Sequence, residues 1–338
     1  MIDVLVAGGG PVGLGTAILA VQAGFSVAVV EPRAAPIDKA CGEGLMPEAV
    51  AALRAMGVEP PGVPLRGIRY ISGACAAEGR FARGSGLGVR RTTLHAALFA
   101  RARALGVRRV DGRVTAISQD DESVEAAGLR ARWLVAADGL HSPLRRLLGL
   151  SLPRRAPARY GVRRHFAVAP WGDKVEVHWA PDAEAYVTPV TPDTVCVALL
   201  FSRPGRGGFE GELTRFPALA ERLGPPTTRA LGAGPFEQRV RRRVVGRVLL
   251  VGDAAGYLDP LTGEGVRLGL ASAQALVRCL RADRPRAYEH AWRLVARRYW
   301  LMTRGLLLLR RSPLRPALVP LLRRCPWLFD LALDQLAR

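Results

Sequence analysis

Gly8, Gly10 and Gly13 stand in Val4–Gly13, Val-Leu-Val-Ala-Gly-Gly-Gly-Pro-Val-Gly, at the spacing G-x-G-x-x-G. That spacing suits a pyrophosphate. The first glycine lets the chain turn sharply, the second lets backbone approach the phosphates, and the third lets a helix pack on a strand. The phosphates would rest on the helix N-terminus, where unpaired N–H groups and the helix dipole favour an anion. A second apolar strand, Ser26–Val30, ends at Glu31. This is about 20 residues on, the spacing at which a carboxylate reaches a ribose hydroxyl. The residues predict a β-α-β unit for an adenine dinucleotide and do not decide which one.

Further chemistry sits at the ends of other apolar runs. Asp138-Gly139 follows Ala131–Ala137, and Gly252-Asp253 follows Val248–Val251. Pro260-Leu261-Thr262-Gly263-Glu264-Gly265 then leads into a predicted helix to about Leu280. N–H groups at such a helix start can stabilise developing negative charge. The loop Pro32–Gly44 carries Lys39-Ala40-Cys41-Gly42-Glu43-Gly44, with Cys41 and Glu43 as its reactive side chains. Helices are expected at about Pro47–Met56 and Thr92–Leu105, a strand at Val110–Ile117, and short β segments over 66–88. From about Pro153 to Gln238 apolar residues alternate (Val175, Val177, Trp179; Val195, Val197, Leu199, Phe201), which predicts an antiparallel sheet in a second lobe. Residues 286–338 read as helical, with Pro313, Pro316, Pro320 and Pro326 breaking the last part.

The composition, 49% hydrophobic and 23% charged, is that of a folded domain and excludes a disordered chain. A formal charge of +20 raises nucleic acid, an anionic membrane or an acidic substrate as partners. Nucleic acid is disfavoured, because no basic run is interleaved with the aromatics that single strands stack on. Lys39 and Lys174 are the only lysines, and the excess of Arg, Ala, Gly and Pro matches the codon bias of a GC-rich genome. Cys41, Cys75, Cys196, Cys279 and Cys325 are scattered and odd in number, which argues against a disulfide framework and a zinc site. With no basic leader before the first strand and no long uncharged apolar run, a cytoplasmic protein is expected.

The three motifs in this order resemble the FAD-dependent oxidoreductases of the p-hydroxybenzoate hydroxylase type, which include aromatic hydroxylases and geranylgeranyl reductases. The resemblance covers residue 1 to about 285. It implies an α/β fold: a Rossmann-like FAD-binding domain (1–65, 86–152 and 239–285), an inserted antiparallel sheet forming a substrate domain (66–85 and 153–238), and a C-terminal helical cap (286–338). It implies that Gly8, Gly10 and Gly13 cradle the FAD pyrophosphate, Glu31 takes the adenosine ribose, and Gly252 and Asp253 meet the ribityl side. Asp138 and Gly139 belong to the motif that closes the FAD site and meets NAD(P)H, which binds only transiently. Arg91, in Arg91-Thr92-Thr93-Leu94, matches the arginine that opens a helix and faces the phosphates, and a guanidinium fork suits phosphate oxygens. Gly263 and Gly265 lie in the loop that faces the flavin ring. The Cys41-Gly42-Glu43-Gly44 and Thr262-Gly263-Glu264-Gly265 stretches are similar to the geranylgeranyl reductase branch, which makes Cys41, Glu43 and Gly263 the candidate catalytic positions. The chain is shorter than most relatives and lacks the aromatic-rich substrate-domain motif of those reductases.

The remaining candidates have plainer readings. His95 and His290 fall in amphipathic helices as surface or capping residues, and His178 with Tyr186 would face substrate or serve structure. No metal ligand set is apparent. Trp300, Leu301 and Leu306–Leu309, flanked by Arg297, Arg298, Arg304, Arg310 and Arg311, would form an apolar, basic-edged cap that touches a membrane or packs on the FAD domain. Three functions follow: an NAD(P)H- and O2-dependent monooxygenase of a small apolar aromatic or polyketide-like substrate, favoured by the motif arrangement; an isoprenoid C=C reductase; and an Arg-rich nucleic-acid or membrane-binding protein.

Overall fold

The computed structural model describes residues 1–338 apart from 204, 206 and 338, and the backbone alone of 336 and 337. The first apolar run is β1 (Ile2–Ala7), which Gly8 turns at φ +110° into α1 (Pro11–Gln22). Pro11 begins the helix where its missing N–H has no partner to lose. β2 (Val27–Val30), α2 (Pro47–Ala55) and a hairpin of β3 (Gly67–Ser72) and β4 (Cys75–Arg80) follow. Next come α3 (Arg91–Ala104), β5 (Arg108–Val110), β6 (Leu129–Ala136) and α4 (Pro143–Leu147). The second lobe adds β7 (Tyr160–Ala167), β8 (Lys174–Trp179), β9 (Ala183–Thr191), β10 (Thr194–Phe201) and β11 (Leu231–Ala233). β12 (Val244–Val245) and β13 (Val248–Leu250) return to the first sheet ahead of α5 (Gly265–Arg281), α6 (Tyr288–Arg311), α7 (Arg315–Arg324) and α8 (Pro326–Ala337).

The first sheet runs β12-β13-β6-β1-β2-β5 and is parallel from β13 to β5. Its central strands are buried, as their unbroken Val, Leu and Ala runs require. Gly8, Glu31, Asp138 and Gly252 follow the carboxyl ends of β1, β2, β6 and β13, so four motifs far apart in sequence converge on one edge. In such sheets ligands bind outside that edge, where the strand order reverses.

The second sheet runs β11-β7-β10-β9-β8-β3-β4. It is antiparallel except where β8 lies parallel to β3, because β3 enters from an earlier segment and not through a hairpin. Ile68, Tyr70, Val177, Tyr186, Ala198 and Leu200 face inward, while Ala185, Val187, Val197 and Leu199 pack outward with Phe209 and Phe216. The period of two along each strand separates these faces.

Two expectations are corrected. The strand expected at Val110–Ile117 stops at Val110, since Gly112 takes φ +144° and leads the chain away from the sheet to the cavity wall. Pro320 does not break the tail but lies inside α7, which loses one backbone hydrogen bond to accommodate it.

Candidate active site

Between the carboxyl edge of the first sheet and the inner face of the second lies a cavity of about 990 Å³. Gly8, Gly10, Glu31 and Arg91 line one side of it, with Asp138, Gly139, Gly252 and Asp253 beside them. Gly263, Gly265, Cys41 and Glu43 line it as well. Gly13 does not: a Cβ there would lie 1.9 Å from Gly8 O, so its place is the contact between α1 and the glycine turn.

The lining fits a dinucleotide. A Cβ on Gly8 would meet Ala137 O at 2.5 Å, whereas one on Gly10 would meet no protein atom within 4 Å and would project into free space. Gly10 is thus bare for something outside the protein. Arg91 Nε and Asp138 Oδ1 are buried without a hydrogen-bond partner in the structure, as expected of groups that answer a ligand. These residues fit FAD: the start of α1 and Arg91 would hold the pyrophosphate, and Glu31 and Asp253 would take sugar and ribityl hydroxyls.

Glu31 also holds the turn itself. Its Oε2 accepts the Gly9 N–H at 2.8 Å and its Oε1 accepts Arg33 Nε–H at 2.8 Å. Burial opposes its ionisation, but the hydrogen bonds from Arg33 and Gly9 win and keep the carboxyl below its usual value. At Asp138 burial wins and raises the pKa, against hydrogen bonds from Ser142 and from Leu144 N–H, which Oδ2 accepts at 3.0 Å. Arg145, unremarked in the sequence, is buried behind these motifs. Its Nη1 donates to Asp253 O and Ala254 O at 3.3 Å and its Nη2 to Leu140 O at 2.9 Å, tying the ends of β6 and β13 together.

The loop of Cys41 is pinned from behind. Glu43 is buried at φ +60°, an uncommon conformation for a side chain-bearing residue, and both its oxygens are engaged. Oε1 accepts the Arg91 N–H at 2.8 Å, and Oε2 lies 2.6 Å from His165 Nε2. Arg163 Nη1 lies 3.1 Å from His165 Nδ1. A guanidinium only donates, so Nδ1 accepts and the proton on Nε2 goes to Glu43. Arg163 also pairs with Asp38, and Thr188 Oγ1 donates to Gly42 O at 2.8 Å. Cys41 Sγ accepts the Glu43 N–H at 3.4 Å. Cys196 joins Glu43 and His165, their ligand atoms within 4.8 Å of one another. Hydrogen bonds already join Glu43 to His165, and Arg163 supplies the positive charge a cation would bring. The sequence signal for this network was Arg163 and His165 two apart on one strand face.

The histidine expectations change. His95 is buried, not on the surface, because α3 turns it under the glycine loop, where Nε2 meets Gly9 O at 2.9 Å and burial lowers its pKa. His178 does not share a face with Tyr186. Register sets Val177 opposite Tyr186, and His178 points to the other side, 3.2 Å from Glu176 Oε2. Tyr186 does reach the cavity and donates to Leu261 O at 2.8 Å. His290 is exposed. Arg310, expected on the rim of the tail, is buried and pairs with Glu184, which also accepts from Arg159 at 2.8 Å. Arg159 reaches on to Asp259 at 2.9 Å.

Fold and cavity together define a dinucleotide-dependent α/β protein with a sheet facing its cofactor. The chain belongs to the FAD binding domain family, whose model matches residues 1–63 and 88–196. It is an FAD-dependent oxidoreductase. It is 26% identical to a menaquinone reductase of Mycolicibacterium smegmatis over 92% of this chain and 84% of that protein. It is 28% identical to digeranylgeranylglycerophospholipid reductase 1 of Methanopyrus kandleri over 79% of this chain and 77% of that protein. Among solved structures it is similar to a flavoprotein/dehydrogenase from Cytophaga hutchinsonii (TM-score 0.84, 20% identity, 99% and 92% covered). An anhydrotetracycline hydroxylase from Streptomyces rimosus is also similar (TM-score 0.77, 25% identity, 99% and 75% covered).

Proposed function

We propose that this oxidoreductase reduces carbon–carbon double bonds in the isoprenoid part of an apolar lipid, with NAD(P)H as reductant. The observation that carries this reading is the wall opposite the dinucleotide cradle. The second sheet sends Ile68, Tyr70, Val175, Val177, Ala198 and Leu200 to the cavity, and among the described sheet residues no charged side chain joins them. A hydrocarbon chain needs such a wall, whereas a carboxylate or phenolate substrate needs a charged partner. Relatives named for menaquinone and for a digeranylgeranyl lipid support this class.

FAD, when bound, supplies the hydride chemistry. The protein's part is placement. The α1 start and Arg91 hold the phosphates, and the N–H groups that open α5 favour negative charge beside them. The Glu43–His165 pair fixes the Cys41 loop at the cavity wall. The apolar wall keeps water from the reacting carbons.

Hydroxylation is the second reading, favoured by the tyrosines Tyr70, Tyr160 and Tyr257 at the cavity, whose hydroxyls suit a phenolic or polyketide-like substrate. One experiment separates the two: turnover of a polyprenyl quinone or geranylgeranyl lipid with NADH or NADPH under nitrogen. A product heavier by two hydrogens is expected. Turnover only with O2, consumed in step with substrate and leaving one oxygen in the product, would replace reduction by hydroxylation.

A further inference from the structure

α6 carries two parallel rows on its outer side. Leu294, Leu301 and Leu308 recur every seven residues, each more than half exposed. Arg297, Arg304 and Arg311 recur at the same interval, three residues further on, and are also exposed. The apolar row continues through Leu314 just before α7, Leu321 of α7, and Trp327 and Leu331 of α8, again each more than half exposed. Elsewhere among the described residues, only Met1 and Leu147 are large exposed apolar side chains, so the feature is local to these helices. Arg323 and Arg324 add to the basic row, and no described acid on α6–α8 is exposed.

We propose that α6–α8 form a docking face for an anionic bilayer, the leucines and Trp327 entering the headgroup–acyl boundary and the arginine row meeting lipid phosphates. An apolar face edged with arginine is the pattern of helices that lie in a membrane interface. Charge selects this occupant over a second copy of the chain. A self-paired face would press arginine rows together, and the acids on the described part of these helices, Glu289, Asp330 and Asp334, are at most part-exposed and too few to answer them. The helices lie on the bilayer and do not cross it, since no described helix is long and apolar enough to span. On their inner side Met302, Leu306, Val319 and Leu322 pack in one cluster with Ile68 and Val177, which line the cavity. The docking helices thus pack directly against the apolar wall of the cavity. Docking itself stands apart from the proposed reaction, because it needs neither turnover nor a particular substrate.

The test is flotation of the FAD-loaded full chain with vesicles of phosphatidylcholine alone or phosphatidylcholine with phosphatidylglycerol. Binding to the anionic vesicles only, weakened by salt, is expected. Leu301→Glu with Leu308→Glu should weaken it roughly tenfold or more by placing charge at the apolar boundary. Arg304→Glu with Arg311→Glu should remove the preference for anionic lipid. Both pairs should keep FAD occupancy and thermal midpoint, because the side chains are exposed. No flotation, equal flotation with neutral vesicles, or a dimer in light scattering that Leu301→Glu dissolves would overturn the proposal.

Discussion

Two glycines three residues apart in sequence, Gly10 and Gly13, separate folding from binding at the scale of single residues. Gly13 touches Gly8 so closely that any Cβ displaces backbone, whereas Gly10 has an extended backbone (φ −69°, ψ 175°) open to every L-residue and no neighbour for a Cβ. Gly13→Ala should therefore damage the fold, while Gly10→Val should fold with the thermal midpoint of FAD-free wild type and lose FAD. A side chain in the pyrophosphate's place should cost at least about tenfold in affinity, roughly 1.4 kcal/mol. Flavin absorbance and a thermal melt of each variant check this, and a yellow Gly10→Val protein at wild-type occupancy would move the phosphates elsewhere. Gly10 was legible because its motif lies within six residues of sequence. Glu43 and His165 were not legible as a pair, because 122 residues separate them and only the fold sets their hydrogen bond.

The loop after β13 is held at the scale of elements by charges from three others. Asp259 caps the turn that begins at Pro260 through Leu261 N–H, and Tyr299 of α6 donates to Asp259 O at 2.9 Å. Arg159 binds Asp259 and Glu184 of β9, and Arg310 of α6 binds Glu184 in turn. Burial pushes Asp259 up to about 6, against the pull of Arg159. A carboxyl whose folded pKa exceeds its unfolded value is better protonated in the fold, so its contribution to stability is greatest below the unfolded pKa and falls as pH rises to about 6. Its size should be on the order of 1–3 kcal/mol. Asp259→Asn should flatten the stability profile between pH 4 and 6 relative to wild type, as urea denaturation would measure; an identical slope would remove Asp259 as its source. Of the elements in this clamp, α6 was legible from its helical pattern, and β9 only as part of the stretch expected to form an antiparallel sheet. Their junction was not, since Arg159, Glu184, Asp259 and Arg310 lie in separate elements and nothing local to any of them names its partner. The parallel pairing of β8 with β3 escaped the sequence for the same reason, because alternation gives a strand its faces but not its neighbour.

The whole molecule is arranged so that its cofactor site joins distant parts of the chain. β1 and β13, far apart in the sequence, both pair with β6, and the cavity at their ends is closed by a sheet drawn from between them. Folding must bring Gly10, Arg91, Asp138 and Asp253 together before anything binds, so the unfolded chain has no site. A ligand that binds only the folded state adds its binding energy to stability, about 2.7 kcal/mol when free ligand is 100 times its Kd. Removal of FAD should thus lower the denaturation midpoint of the entire chain and not of one lobe, because both sheets line the cavity. The check is urea denaturation with and without saturating FAD, followed by fluorescence of Trp179 in the second sheet and of Trp133 in the first. The two signals should shift together in wild type and neither should shift in Gly10→Val. A shift confined to Trp133 would mean that the second sheet stands apart from the cofactor, and an equal shift in Gly10→Val would place FAD away from the glycine turn.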